Sequence, residues 1–169
     1  MVLRVASALV LAATVVPQSL EQLTDRATHV VRARVGAQSS AHAPGPAGIY
    51  TFTELQVVEA LKGTPPQVVR VRQAGGTVGR EAVTLEGDAV LTPGEDVLVF
   101  LSCRPEQTAC SVVGLAQGKF HLEGVKGGAV QASRDFAKTE FVRGAPPSAA
   151  PEAYAELAQR IRARAGATR

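Results

Sequence analysis

Tryptophan is absent from the sequence, and aromatic residues make up 4% of it, two Tyr and five Phe set singly along the chain. Binders of single-stranded nucleic acid normally offer stacking aromatics or a basic stripe. With neither, and a net charge of only +3, no nucleic-acid partner is expected. The shortage of rings also implies a core built mainly from Val and Leu. No apolar run reaches the roughly 18–20 residues that a membrane-spanning helix needs, so the mature chain carries no integral membrane segment on this reading. His-Glu-x-x-His, His-x-His and Gly-x-Ser-x-Gly are all missing, and with them the commonest marks of a zinc hydrolase or a serine hydrolase. What is present is an ordinary globular composition: 46% hydrophobic and 20% charged residues in a 169-residue chain, which favours one folded domain.

The N-terminus is the most distinctive stretch. Arg4 gives a short basic start, Val5–Val16 is apolar and uncharged, and Pro17, Gln18 and Ser19 break the run. A basic n-region, an apolar h-region of about 7–15 residues and then a break is the layout of a secretory signal peptide. Residues 1–19 are therefore read as a leader, cut between Ala13 and Ser19. The alternative for the same run is a buried N-terminal strand or helix. No cysteine follows the run, which excludes a lipoprotein anchor at that point. Export to the periplasm or the extracellular medium then sets the reading of the two cysteines. Cys103 and Cys110 form a Cys-x6-Cys pair, most simply a disulfide in an oxidising compartment. The spacing is neither that of a zinc knuckle nor Cys-x-x-Cys.

The remainder divides into a β-rich domain (20–143), a linker (144–150) rich in Pro and Ala, and a C-terminal helix (151–165). Ser19 and Gln22 form a capping box ahead of a short helix that places Leu20, Leu23 and Ala27 on one face. Period two over 28–38 predicts a strand with His29, Val31, Ala33 and Val35 on one side and Arg32 and Arg34 on a solvated side. Ser39–Gly48 reads as a loop or hairpin tip, and Ile49–Leu61 as a second strand. Val68–Arg72, Val83–Leu85, Ser111–Leu115, Gly118–Leu122 and Ala129–Ala132 follow as shorter strands. Val97–Leu101, five apolar residues without a polar break, predicts a central strand covered on both faces. Pro151 suits the first turn of the last helix, whose apolar stripe is Tyr154, Leu157, Ala158 and Ile161. That stripe docks on its own domain or on a partner. The fold class is mainly β: a small OB-like barrel or sandwich with a short N-terminal helix and a C-terminal amphipathic helix.

Chemistry-bearing constellations are few. His29 and His121 fall in predicted strands and His42 in the predicted loop, so a metal site would need two of them to meet in space. No metal, cofactor or catalytic residue is assigned. Glu95 and Asp96 lie in a turn and read as loop solvation. Gly75, Gly76 and Gly79 after the third strand match neither a P-loop nor a dinucleotide fingerprint, and positive φ or a bulge explains them better. If this loop meets the 117–119 break, Gln73, Gly75, Gly76, Thr77, Gln117 and Lys119 together form a polar binding rim.

A wider pattern is also visible. Ser19–Leu23, His29–Val31, Tyr50–Phe52 and Val58–Gly63 are followed by Gln73-Ala74-Gly75-Gly76, then Pro93-Gly94-Glu95 before an apolar strand, then Val113–Phe120. Across about 19–122 this resembles a group of small exported bacterial proteins of unassigned activity. The order of elements is also similar to the OB barrel of the tissue-inhibitor-of-metalloproteinases and netrin-like class. That class reaches a protease zinc through an N-terminal cysteine, which this chain lacks near its mature start, and fold alone does not carry function. The expectation is a non-enzymatic exported domain that binds a protein or envelope component through barrel loops. The alternatives are an inhibitor or accessory domain for an exported metalloprotease, and a metal-dependent hydrolase.

Overall fold

A computed structural model describes residues 8–12 and 14–167. The basic start of the predicted leader and its residues 5–7 and 13 lie outside the described residues. Within the stretch predicted as a leader, Ala8–Ala12 (β1) and Thr14–Val15 (β2) are strands, the alternative that the sequence left open for this run. Helix α1 (Leu20–Arg26) begins as its sequence predicts, with Ser19 Oγ accepting from the Gln22 N–H at 3.2 Å and Gln22 Oε1 accepting from the Ser19 N–H at 2.8 Å. Each member of the box thus satisfies a backbone donor that the helix leaves free. The long strands β3 (His29–His42) and β4 (Ile49–Lys62) come next, then β5 (Val68–Ala74), β6 (Gly76–Val78), β7 (Glu81–Glu86) and β8 (Asp96–Ser102). A two-residue β9 (Ser111–Val112) leads through a 3-10 turn (Leu115–Gly118) to β10 (Lys119–Gly124). β11 (Val130–Ser133), β12 (Glu140–Phe141), β13 (Glu152–Ala153) and helix α2 (Tyr154–Ala167) complete the chain.

Five of these segments close a small barrel. β4 pairs antiparallel with β3 and β5, and β8 pairs antiparallel with the other edge of β3. The return is made by the disulfide loop. Cys103 and Cys110 are bonded, with Cα atoms 4.3 Å apart. β9 pairs back onto β8, and Cys110 lies parallel against β5. The Cys110 N–H donates to the Arg70 carbonyl, and the Arg72 N–H donates to the Cys110 carbonyl, both at 2.8 Å. The bridge at Cys110, just before β9, thus draws the two ends of the curled sheet β5-β4-β3-β8 together, consistent with a small β barrel or sandwich. From the far edge of β8 a second leaf, β10-β11-β13, carries the sheet away from the barrel. β6 and β7 form a separate hairpin whose other edge takes β1 in parallel register, Ala8 opposite Ala82 through Ala12 opposite Glu86.

Two cores result, one on each side of β8. Val97, Val99 and Leu101 point into the barrel with Val31, Ala33, Val35, Leu55, Val69 and Val71. Leu98 and Phe100 point the other way, under Leu23 and Ala27 of the α1 end and Leu157, Ala158 and Ile161 of α2. All five residues of Val97–Leu101 are fully buried, so this strand is central as predicted. Burying each such side chain contributes about 1.5–3 kcal/mol. The apolar stripe of α2 docks on its own domain. Arg164 of α2 also grips Asp25 of α1 with two hydrogen bonds, and Lys62 Nζ donates to the Thr24 carbonyl at 2.6 Å near the C-terminus of α1. No helix among the described residues is long and apolar enough to cross a membrane.

Four local expectations are corrected. β3 runs on to His42, so the predicted 39–48 loop shrinks to a tip at 43–48 and His42 belongs to a strand. Pairing with the strand-forming Ile49–Thr53 segment outweighs the weak propensity of the small residues opposite. The outer face of β3 is not solvated throughout: strand alternation turns Val30 away from Val31, and the helix-side core covers Val30. The predicted strand 111–115 ends at Val112, since Gly114 and Leu115 take positive φ and start the 3-10 turn. Helix α2 begins at Tyr154 rather than Pro151, because Glu152 and Ala153 pair with β11.

The disulfide links the two ends of the loop that closes the barrel. Replacing Cys103 and Cys110 together by Ser is expected to cost about 2–3 kcal/mol in the loop-entropy model. For a chain of this size that lowers Tm by about 4–12 °C. Thermal melts of the oxidised protein and the double variant check it, and coincident curves would show that closure stands without the crosslink.

Candidate functional site

The predicted rim is only partly assembled. Gln73, at the end of β5, donates from Nε2 to the Ala89 carbonyl at 2.6 Å. Gly75 and Gly76 follow with φ of +96° and +131°, the left-handed region foreseen for them. A Cβ on Gly76 would lie 2.3 Å from Ser40 Oγ and 2.5 Å from Thr51 Oγ1, so the backbone here is pressed against the β3–β4 hairpin. Gln73, Gly75, Gly76 and Thr77 face the 83–91 segment across a cleft of about 300 Å³. Asp88 lies on this cleft. Burial raises its carboxyl pKa, against the opposing hydrogen bonds from the Ala89 N–H and Gln73.

Lys119 and Gln117 are placed elsewhere. Lys119 opens onto a different cleft, bordered by the 84–90 segment and by Asp135 and Lys138. The 84–90 segment thus stands between Lys119 and the glycine rim. Gln117 is fully buried. Its Oε1 accepts from the Gln18 N–H at 2.8 Å, and its Nε2 donates to the Val16 carbonyl at 3.1 Å. Its partners are the backbone of the N-terminal segment.

Lys119 belongs to a cluster that the sequence did not disclose. Glu95, expected to solvate a turn, has a side chain only 10% exposed. Its Oε1 accepts from Lys119 Nζ and from His121 Nδ1, the latter at 2.6 Å, and its Oε2 accepts from the Thr92 N–H at 3.2 Å. Burial pushes the Glu95 carboxyl up, but the Lys119 and His121 hydrogen bonds and the Lys119 charge outweigh it, leaving the pKa below the usual carboxylate value. Asp96, one residue on, turns to the helix side and pairs with Arg32 at 2.6 Å. Arg32 lies over the Tyr154 ring at 5.2 Å, and the Tyr154 hydroxyl donates to Glu59, which also pairs with Arg162. Burial, then the Glu59 hydrogen bond, pushes the Tyr154 hydroxyl well up.

The three histidines lie apart, at the start of β3, the end of β3 and on β10. His29 is lowered by burial, and His42 Nε2 lies 3.7 Å from Glu81. Among the described residues no group of three or more His, Cys, Asp or Glu is arranged to hold a metal ion.

A third feature lies on the outer face of β4 and β5. Tyr50, Phe52 and Glu54 alternate outward on β4, and Arg70 and Arg72 do so on β5, with Phe52 opposite Arg72 and Glu54 opposite Arg70. The Arg72 guanidinium sits 3.6 Å from the Tyr50 ring centroid and that of Arg70 lies 4.3 Å from Phe52. Arg72 Nη2 also donates to the Pro44 carbonyl in the hairpin tip. Beside this ladder the disulfide loop raises a wall with Arg104, Glu106 and Thr108, enclosing a cleft of about 450 Å³. The aromatics that look solitary in the sequence thus act in company. The visible signal was two period-two pairs, Tyr50-x-Phe52 and Arg70-x-Arg72. Only the strand register shows that they stack.

No protein-family model matches this chain, and no curated protein matches its sequence.

The Glu95 cluster has a pH signature. A carboxyl depressed in the folded state adds stability above its unfolded pKa of about 4.3, and that stability is lost as pH falls through the folded value. The Tm of the native protein should therefore drop on acidification from pH 5 to pH 3 by more than that of Glu95→Gln. At pH 7 the same substitution should cost about 1–3 kcal/mol, because Lys119 loses its partner in a largely buried setting. Denaturant melts across that pH range decide it, and parallel pH profiles would show that Glu95 carries no such linkage.

Proposed function

We propose that this protein is an exported, non-enzymatic binding domain that engages an acidic protein or envelope component through the outer face of β4 and β5 and the two loops beside it. The observation that carries this reading is the Tyr50–Arg72 and Phe52–Arg70 ladder next to the disulfide-tethered loop. A guanidinium laid on an aromatic ring keeps its charge and its fork of donors while its orientation is held by the ring. Such a group meets carboxylates or phosphates with less ordering cost than a free arginine, and in bidentate geometry. Arg104 in the loop adds a third cation, against Glu54 and Glu106. An export leader and a closed disulfide support a periplasmic or extracellular setting.

The glycine rim remains a second contact region on the same reading, through Gln73, Gly75, Gly76 and Thr77. Inhibition of an exported metalloprotease has only the barrel circuit in its favour. The chain offers no cysteine near its processed start to reach a catalytic zinc.

Binding of a poly-glutamate probe tests the proposal. Arg70 and Arg104 are exposed, so Arg70→Glu/Arg104→Glu should stay folded, at a cost of about 1 kcal/mol for the lost Phe52 stack and the facing Glu54. Affinity measured by fluorescence anisotropy at low salt should fall at least about tenfold, the scale set by two lost ion contacts. Lys126→Ala, an exposed cation in the turn after β10, should bind the probe as the native protein does. Equal binding by the charge-reversed variant would overturn the assignment of this face.

A further inference from the structure

The predicted leader and the folded domain overlap, and the overlap shows where they part. Val15 is buried and pairs with Phe141, and its carbonyl accepts from the Val142 N–H at 2.9 Å. The Val16 carbonyl and the Gln18 N–H are both held by the side chain of Gln117. That side chain is 0% exposed, and its other contact is the Gly114 carbonyl at 3.4 Å. Pro17 lies against Gly144, whose Cβ position would be 3.5 Å from Pro17 Cγ. Four consecutive residues are thus built into the domain. β1, just upstream, pairs by its backbone with β7 of the β6–β7 hairpin.

We infer that the exported protein keeps Val15–Gln18 as an N-terminal strap clamped by Gln117, the leader being cut upstream of Val15. This rests on the export reading above and selects the N-terminal end of the range that the sequence allowed. A cut at Ser19 would strip Gln117 of both partners in the N-terminal segment and leave only the 3.4 Å contact of Nε2 with the Gly114 carbonyl. The amide would then be left with an unmet acceptor and a donor held only by that long contact, a costly way to lose hydrogen bonds. A cut upstream of Val15 keeps both partners and falls just after the small residues Ala12 and Ala13, which form no full Ala-x-Ala site. Water adds across that peptide bond. A new carboxylate leaves with the leader, and a new α-ammonium begins the domain. The same cut removes β1 and leaves β7 paired on one edge only, alongside the glycine rim.

Two measurements test this. First, the protein recovered from the exported fraction of expressing bacteria is sequenced from its N-terminus and weighed intact. A chain beginning at Thr14 or Val15 is expected, and one beginning at Ser19 or later would overturn the strap. An uncut chain would instead overturn the export reading, and the cut with it. Second, chains made to begin at Thr14 and at Ser19 are melted, each with and without Gln117→Leu. The Thr14 chain should melt about 5 °C or more above the Ser19 chain. Gln117→Leu should lower the first and leave the second unchanged or raised, as expected for groups that act as a pair. Equal melting of the two native-sequence chains, or an equal drop on Gln117→Leu in both, would overturn the clamp whatever becomes of the leader.

Discussion

The burial of β8 on both faces is the constraint on which the other elements depend. An apolar strand of five residues has two faces to hide, and a single sheet surface hides only one. The barrel covers Val97, Val99 and Leu101, while the two helices and the β10–β11 leaf cover Leu98 and Phe100. This division also explains the residue usage. A five-segment barrel has a narrow interior that branched aliphatic side chains fill, and its core holds Val, Leu, Ala and Cys. Both aromatic types found in the clusters lie on the helix side, where Phe100 and Phe120 pack with centroids 6.3 Å apart and Tyr154 joins them. The scarcity of aromatics fits a molecule with one core too narrow for them.

Polar groups mark where the two cores separate. Glu95 and Asp96 sit together at the entry to β8, and the alternation of the strand sends them to opposite sides. Each finds a cation: Lys119 on the barrel side, Arg32 on the helix side. Partly buried ion pairs of this kind add little net stability, but losing one partner is costly because the other charge is left behind. They therefore act more as markers of register than as sources of binding energy between elements.

Much of this architecture was legible where the cause was local. The Ser19–Gln22 box, the stripe on α2, the Val97–Leu101 run and the close cysteine pair each declare themselves within a few residues, and each is found in the structure. The misses arise where a distant partner decides. Ser39–His42 look like loop until Ile49–Thr53 pair with them. Pro151 looks like a helix start until β11 claims Glu152 and Ala153. Glu95 looks like a solvated turn residue until Lys119 and His121 arrive from 24 and 26 positions away. The cation–aromatic ladder is the same case. Its residue types and spacing are in plain view, but stacking needs the Phe52–Arg72 register, and no local pattern encodes that. Of the predicted rim, the four residues adjacent in sequence stay together, while Gln117 and Lys119, joined to them only by supposition, are drawn off by stronger partners.

The disulfide loop ties these strands of argument together. Its last residue supplies the backbone groups that bridge β5 and close the barrel. Its body supplies the wall beside Arg72 and Tyr50. A tether of six residues between Cys103 and Cys110 limits how far that wall can move. The geometry of the proposed binding face is therefore not independent of the stability of the barrel. A loop held by a covalent bond presents its cation at a nearly fixed distance from the ladder, which lowers the ordering cost of any anionic contact made there. Reduction would release the wall and weaken the closure in one step. The bonded form of the loop is compatible with an oxidising compartment. The cysteine pair and the arginine ladder, which look unrelated along the sequence, fit one physical account.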